Sequence, residues 1–449
     1  MLQSVKSVLF EVESRLDEPS ARGLATAVSR AVRDGVLDAG VRLPPIRTVA
    51  TELGLSPTTV SSAWNLLARN GTIRTDGRRG TTVADRQRPG TPRYQRTLDR
   101  ETAFALDLST GVPDPALLPD LSRAVGALTD VATPGSYLDE PTLPELVRVL
   151  RADWPLDADE ITVVDGAMDG IELATRVLVG FGDRVAVESP GFPPLLDLLE
   201  ASGAEIVGVP LDEAGMRPDA LRDVGPITAV YLQPRAQNPT GVSLTPRRAQ
   251  ELAEVLRLGA AAVVEDDSAG AVAVADPISL GRWVPERTVH VRSFSKSHGP
   301  DLRLAALSAP DDVARRITAV RQLGQGWSSR LLQRLLLALL TDRRSIRAVE
   351  RARRTYEQRR AALMSALRAH GVEVGGTDGI NVWVPVADET SAVARLAVQG
   401  IGVAPGSPFA VTPAQPPHIR VTAGLLADGH ARVAAAIAAA ARGPARIPV

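Results

Sequence analysis

Between residues 161 and 294 the chain repeats one pattern. Short β-branched runs ending at Gly, Pro, Asp or Ser alternate with amphipathic stretches: ITVVDG, RVAVESP, AEIVGVP, ITAVYLQP, AAVVEDD and TVHVRSF. Strands separated by helices of this kind build a largely parallel sheet, so the expected fold class is α/β. In such sheets ligands lie beyond the carboxyl ends of the strands, which makes the residues just after each run the first candidates for chemistry. The Ala-rich stretch ARVAAAIAAAARG near the end reads as a packing helix.

The front of the chain follows a different rule. Leu24, Val28, Ala31 and Val32 share a helical face that ends near Gly35 to Gly40. Ile46, Val49, Ala50 and Leu53 make a second short helix, broken at Gly54. Ser56 is placed to cap a third helix, in which Val60, Ala63, Trp64 and Leu67 face inward. TIRTDGRRGTTV then reads as a hairpin around a basic, Gly-rich turn. Helix, turn and helix recur in proteins that never touch DNA. Where the unit does bind DNA, its second helix enters the major groove N-terminus first. Ser56, Thr58, Thr59 and Ser61 then suit base-edge and phosphate contacts, while Arg47, Arg78 and Arg79, with Gly80 in the turn, suit phosphates or a groove.

The string from Gly35 to Val83 resembles the winged helix-turn-helix of the GntR regulator family nearly end to end. The resemblance rests on Leu43-Pro44, Arg47, Leu53-Gly54-Leu55-Ser56, Thr59-Val60 and Gly80-Thr81. It implies a DNA-binding domain over residues 15–85 and a double-stranded operator as partner. Pro57 and Ser61 stand where that family often has basic residues, which implies an atypical base preference.

Charge divides along the same line. Residues 1–100 hold 16 Lys and Arg against 10 Asp and Glu, leaving 35 against 42 for the remainder. Residues 86–104 mix Pro, Gly and five arginines, and read as an exposed basic linker that either touches phosphate or is merely solvated. With no cysteine and five scattered histidines, thiolate chemistry is excluded and a metal site is not expected. The first residues lack a signal-peptide pattern and no apolar run is long enough to span a bilayer, so a cytoplasmic protein without membrane contact is expected.

SFSKSHGPDLR sets Lys296 among small hydroxyls, with Arg303 seven residues on. A lysine that condenses with an aldehyde must be neutral part of the time, and desolvation with a neighbouring cation achieves that. Each surrounding motif is weak alone, but their order is informative: Gly166-Ala167-Met168 after ITVVD, Phe192 in ESPGFPP, Asn238 in NPTG, Asp266 in VVEDD, Lys296, and Arg420 in PHIRVTAG. From about Leu108 onward this series resembles the pyridoxal 5'-phosphate (PLP) enzymes of aminotransferase fold type I, implying residues 105–449 as one such domain with a smaller C-terminal subdomain.

The resemblance implies a role for each residue. Lys296 binds the aldehyde, and Asp266 pairs with the pyridine nitrogen. Phe192 stacks on the ring and Asn238 bonds its hydroxyl. The phosphate is held by Gly166, Ala167 and Met168 with Ser293, Ser295 and Arg303. Arg420 clasps a substrate carboxylate, and Tyr137 reaches the phosphate of a second subunit in a homodimer. Ser268 stands where the family usually has a tyrosine bonding the ring hydroxyl, which leaves that contact to Asn238, alone or with water. The glycine usual after Tyr137 is absent.

A GntR-like front joined to an aminotransferase-like body resembles the MocR type of regulator. The expected function is PLP-dependent DNA-binding regulation in response to an amino compound or to PLP itself. The alternative is a working aminotransferase that carries a DNA-binding domain.

Overall fold

The computed structural model describes residues 5–38, 40–69, 72–76, 80–83, 93, 104–126, 128, 136–412 and 415–442. Two compact units result, one built chiefly on residues 1–92 and one holding most of the remainder.

In the first unit a helix over Ala21–Arg33 starts at Ser20, whose side chain accepts from the Gly23 amide at 3.0 Å. Helices Ile46–Glu52 and Pro57–Arg69 follow, and strands Ile73–Asp76 and Gly80–Val83 pair antiparallel, with Ile73 opposite Val83. The expected inward positions Leu24, Val28, Val49, Val60, Ala63, Trp64 and Leu67 form one core. Helix Val5–Glu13, which sequence periodicity does not single out, adds Val8, Leu9 and Val12 to it.

In the second unit all six β-branched runs are strands. Across the sheet the order is Thr162–Val164, Ala305–Ser308, Thr288–Ser293, Ala262–Asp267, Ala229–Leu232, Arg184–Ser189, Glu205–Asp212 and Gly215–Met216. The central pairs are parallel, whereas Ala305–Ser308 runs antiparallel to both its neighbours. That strand follows its predecessor too closely for a crossover helix, so it can only return alongside. A long helix, Arg343–Ala369, leads to a smaller sheet of Val382–Pro385, His418–Val421 and Ala404–Pro405. The Ala-rich stretch forms helix His430–Ala441, and its Val433, Ala434 and Ile437 are buried against that sheet and the long helix. Leu106–Asp107 pairs with Ile401–Gly402, so the first residues of this unit are stitched to its last subdomain.

Candidate functional site

Asp266 is next to last in its strand and Lys296 lies in the short helix Ser295–His298 after the neighbouring strand, which brings both to the carboxyl edge of the sheet. Asp266 is buried and its carboxylate accepts from Gln233 Nε2 at 2.7 Å and from the Ser268 hydroxyl. Burial pushes its carboxyl up, against those hydrogen bonds and the Lys296 charge. Desolvation is also the main cause that lowers the Lys296 amine, helped by Arg420, while Asp266 opposes it. An amine so placed is more readily neutral than a surface lysine.

Gln233 holds this corner together. Its backbone amide donates to Glu188 Oε2 at 3.0 Å, its side-chain nitrogen to Asp266, and its side-chain oxygen accepts from the Asn238 amide at 2.7 Å. Phe192 borders the same crevice with Glu188, Gln233 and Asp266. Asn238 is buried, and its Oδ1 accepts from Arg420 Nη1 at 3.3 Å and Asn381 Nδ2 at 3.5 Å. Arg420 donates to the Ser109 carbonyl at 2.5 Å and lies over the Phe409 ring. Gly111, at φ +68°, packs against this guanidinium, where a Cβ would stand 3.1 Å away, so both backbone conformation and space favour glycine there.

Gly166 opens helix Ala167–Leu178 with φ at +101°, and a Cβ there would lie 3.2 Å from Arg303 Nη2. Arg303 is thus brought beside the Gly166-Ala167-Met168 turn, where backbone N–H groups and a guanidinium together suit an anion. Ser293 is buried and accepts from the Ser295 amide at 3.3 Å.

Tyr137 stands apart from these residues. It is 89% exposed, with its ring edge-on to Trp327 at 5.7 Å, on a loop whose carbonyls at Ser136, Asp139 and Glu140 all accept from Arg330. Ser268 is turned onto Asp266, so in this chain the serine steadies the aspartate. His298 is buried, pushed down to about 4 by desolvation, and bonded to Ser297.

Gln233, Glu188 and Asn381 escape sequence reasoning, and nothing in their spacing marks them. Glu188 is pushed up from 4.5 to about 8, chiefly by burial. A carboxyl raised in the folded state contributes stability that is fully present below about 4.5 and is lost as pH rises through about 8. Glu188→Gln is therefore expected to flatten the fall of Tm across that window and to raise Tm at pH 8, as read by thermal melts at several pH values. An unchanged slope would assign the proton to another group.

In the front unit Ser56 caps its helix, accepting from the Thr59 amide at 3.0 Å, and its hydroxyl also lies 2.7 Å from that of Thr58 and 2.8 Å from that of Thr59. Thr58 and Arg47 are exposed, and Ser61 is half-buried. Gly80, at φ +88°, lies against the Arg42 guanidinium, where a Cβ would be 2.9 Å from Nη2. Arg78, Arg79 and nearly all of residues 86–104 lie outside the described residues.

Together the two units define a class: a DNA-binding regulator whose larger part is an aminotransferase-like domain. Residues 21–83 match the bacterial regulatory proteins of the gntR family, and residues 106–437 match aminotransferase class I and II. The chain is 35% identical to the vitamin B6 salvage pathway transcriptional repressor PtsJ of Salmonella typhimurium, over 94% of this chain and 98% of that protein. It is 30% identical to the pyridoxine biosynthesis transcriptional regulator PdxR of Corynebacterium glutamicum, over 77% of this chain and 78% of that one. In fold it is similar to an archaeal alanine:glyoxylate aminotransferase (TM-score 0.69, 23% identity, 78% of this chain and 93% of that one). It is also similar to the alpha-aminoadipate aminotransferase LysN of Thermus thermophilus, solved with N-(5'-phosphopyridoxyl)-L-leucine (TM-score 0.68, 23% identity, 79% and 96%). The chain belongs to the MocR-type regulators of the GntR family, with an aminotransferase class I and II domain.

No described helix is long and apolar enough to cross a membrane, and the described residues hold no cluster of potential metal ligands.

Proposed function

We propose that this regulator binds PLP at Lys296 and that the bound vitamer is itself the signal passed to the DNA-binding domain. The observation that carries the reading is the set of groups around one buried carboxylate: Asp266 held by Gln233 and Ser268, beside a lysine whose charge is disfavoured. The donor set fits the cofactor. Lys296 would anchor the aldehyde carbon, Asp266 would pair with the pyridine nitrogen, Phe192 would stack on the ring, and Asn238 would serve the ring hydroxyl. The Gly166-Ala167-Met168 turn with Ser293, Ser295 and Arg303 takes the phosphate. When bound, PLP supplies an electron-withdrawing ring that activates an attached amine.

This chain's own residues then determine how far such chemistry goes. Asp266 would favour a protonated ring nitrogen on a bound cofactor, since a cation set against it would offset the burial that pushes its carboxyl up. Ser268, occupied with Asp266, gives the ring hydroxyl no donor. That restricts control of the proton on the lysine and favours holding the cofactor over turning it over. The names of PtsJ and PdxR, both tied to vitamin B6, support PLP as the signal. Arg420 supports a second reading, in which a carboxylate-bearing amine is sensed at the same site: it is buried, forked, and bonded to Asn238.

Operator DNA selected from random sequence with the purified protein supplies the probe. Mobility shifts with and without PLP, each with and without a panel of amino acids, separate the readings. The expected result is a shift altered by PLP alone; a response only when an amino acid is added transfers the signal to the amine. The resemblance to type I aminotransferases supports a homodimer and two operator half-sites as part of this reading, with Tyr137 offered to the partner.

For the DNA contact, Arg47→Ala is expected to lower the magnitude of the log-affinity against log-salt slope by about 0.9 while leaving base preference unchanged. Fluorescence anisotropy at several salt concentrations measures this. An unchanged slope would mean that Arg47 faces solvent.

A further inference from the structure

Behind Asp266, on the opposite face of its strand, lies a second constellation that the Lys296 site does not use. Asp267 is buried and paired with Arg235, with Nη2 to Oδ2 at 2.6 Å and Nε to Oδ1 at 3.2 Å. Burial pushes its carboxyl up, yet Arg235, His290 and Arg292 together hold it below its ordinary range. Glu265, two residues earlier and on the same face, is bonded to His290 Nδ1 at 2.7 Å. Among these buried groups Arg292 shares its buried anion, Asp267, with Arg235. Arg292 is 5% exposed, and its Nε makes no hydrogen bond and stands 3.6 Å from Asp267. Among the described residues its outer nitrogens bond to Asp153, with Nη1 to the carboxylate at 2.8 Å and Nη2 to the carbonyl at 3.0 Å, and the guanidinium lies over the Trp154 ring.

Asp153 is a surface residue, with its side chain 69% exposed. The Asp153 carboxylate is well solvated outside the pair, but buried Arg292 needs an anion, so Asp153 is exchanged only for another carboxylate set on the same nitrogens. Arg292 borders a cavity of about 430 Å³, within the size range of small-molecule sites. Val149, Leu150, Leu340 and Val349 give that cavity an apolar side. Phe294 and His298 close it from the segment that carries Lys296, and burial keeps His298 neutral at physiological pH. Asp276 and Glu350 also line the cavity, with Arg235 and Arg353 beside them, so the space offers charge of both signs, the buried Arg292 guanidinium, and hydrocarbon on another side.

We propose that this cavity binds a small organic carboxylate, its head on Arg292 in place of Asp153 and its chain against Val149, Leu150, Leu340 and Val349. The site is distinct from the one at Lys296 and stands whether or not that lysine carries a cofactor. Its occupant would touch Phe294 and His298 on either side of Lys296, so a metabolite bound there would bear directly on the lysine's placement.

Sodium hexanoate is the probe and hexanamide, of equal length without the charge, its control. Calorimetric titration uses the full-length Lys296→Ala protein, in which no cofactor is held covalently, and the Asp153 and Ile346 variants below distinguish this cavity from the carboxylate position at Arg420. Hexanoate is expected to bind with a Kd of about 1 mM or tighter, and hexanamide at least roughly tenfold more weakly. Asp153→Ala, which removes the competing carboxylate at an exposed position, is expected to tighten hexanoate binding severalfold. Ile346→Trp, at a lining position 41% exposed, is expected to abolish binding with Tm unchanged. Absence of hexanoate binding, equal affinity for the amide, or affinity indifferent to both Asp153→Ala and Ile346→Trp would overturn the proposal.

Discussion

Lys296→Ala protein, mixed with PLP and desalted, is expected to emerge without the visible absorbance of a lysine-bound cofactor, while wild-type protein keeps it. The effect is large because it is covalent. Short of a second reactive amine, no other group replaces the bond, and nothing nearby invites one: Lys296 is the lysine whose charge is disfavoured by both desolvation and Arg420. Truncation to alanine leaves the neighbouring packing in place, since Ser297 and His298 hold their own bonds to each other and to the Phe294 carbonyl. Circular dichroism of the variant should therefore match the wild type. The same protein should bind operator DNA but lose the PLP response. Retained absorbance after desalting would move the covalent site to another amine.

Asp266→Asn is expected to weaken PLP retention by about 1.5–3 kcal/mol, roughly ten- to a hundredfold, the range for losing a charged hydrogen-bond partner in a buried site. Asparagine keeps the size of the side chain, and Gln233 and Ser268 remain to hold it. The loss then reports charge and not packing. Equilibrium dialysis of wild-type and variant protein against PLP, followed at the visible band, measures it. Equal retention would mean that the buried carboxylate does not face the ring nitrogen.

These two residues are legible in sequence for a common reason. Asp266 stands at the end of a strand and Lys296 just after one, both ends readable from β-branched runs, and side chains there go to the ligand edge of a parallel sheet whatever the sheet order. Gln233 sits at the end of a similar run, in ITAVYLQP, yet nothing local sets it apart. Its importance comes from joining Glu188, 45 residues earlier, to Asp266, 33 residues later. Ser268 reads in sequence as a lost tyrosine, and its effect on the ring hydroxyl is legible there. That it turns back onto Asp266 depends on a side-chain orientation that no spacing encodes.

Local sequence is enough to give the class of this protein: a helix-turn-helix with a hairpin, then alternating strands and helices with the cofactor-type residues at the strand ends. Periodicity, caps and turn residues are local, and they suffice for elements and for what stands at their ends. Strand pairing was decided only by the tertiary structure. A parallel register sets His290 beside Glu265 and Arg292 beside Asp267, with Asp266 directed to the other face. That register placed two opposite charges behind the Lys296 site and left Arg292 at the edge of a cavity, because burial and ion pairing are properties of neighbours brought together by folding.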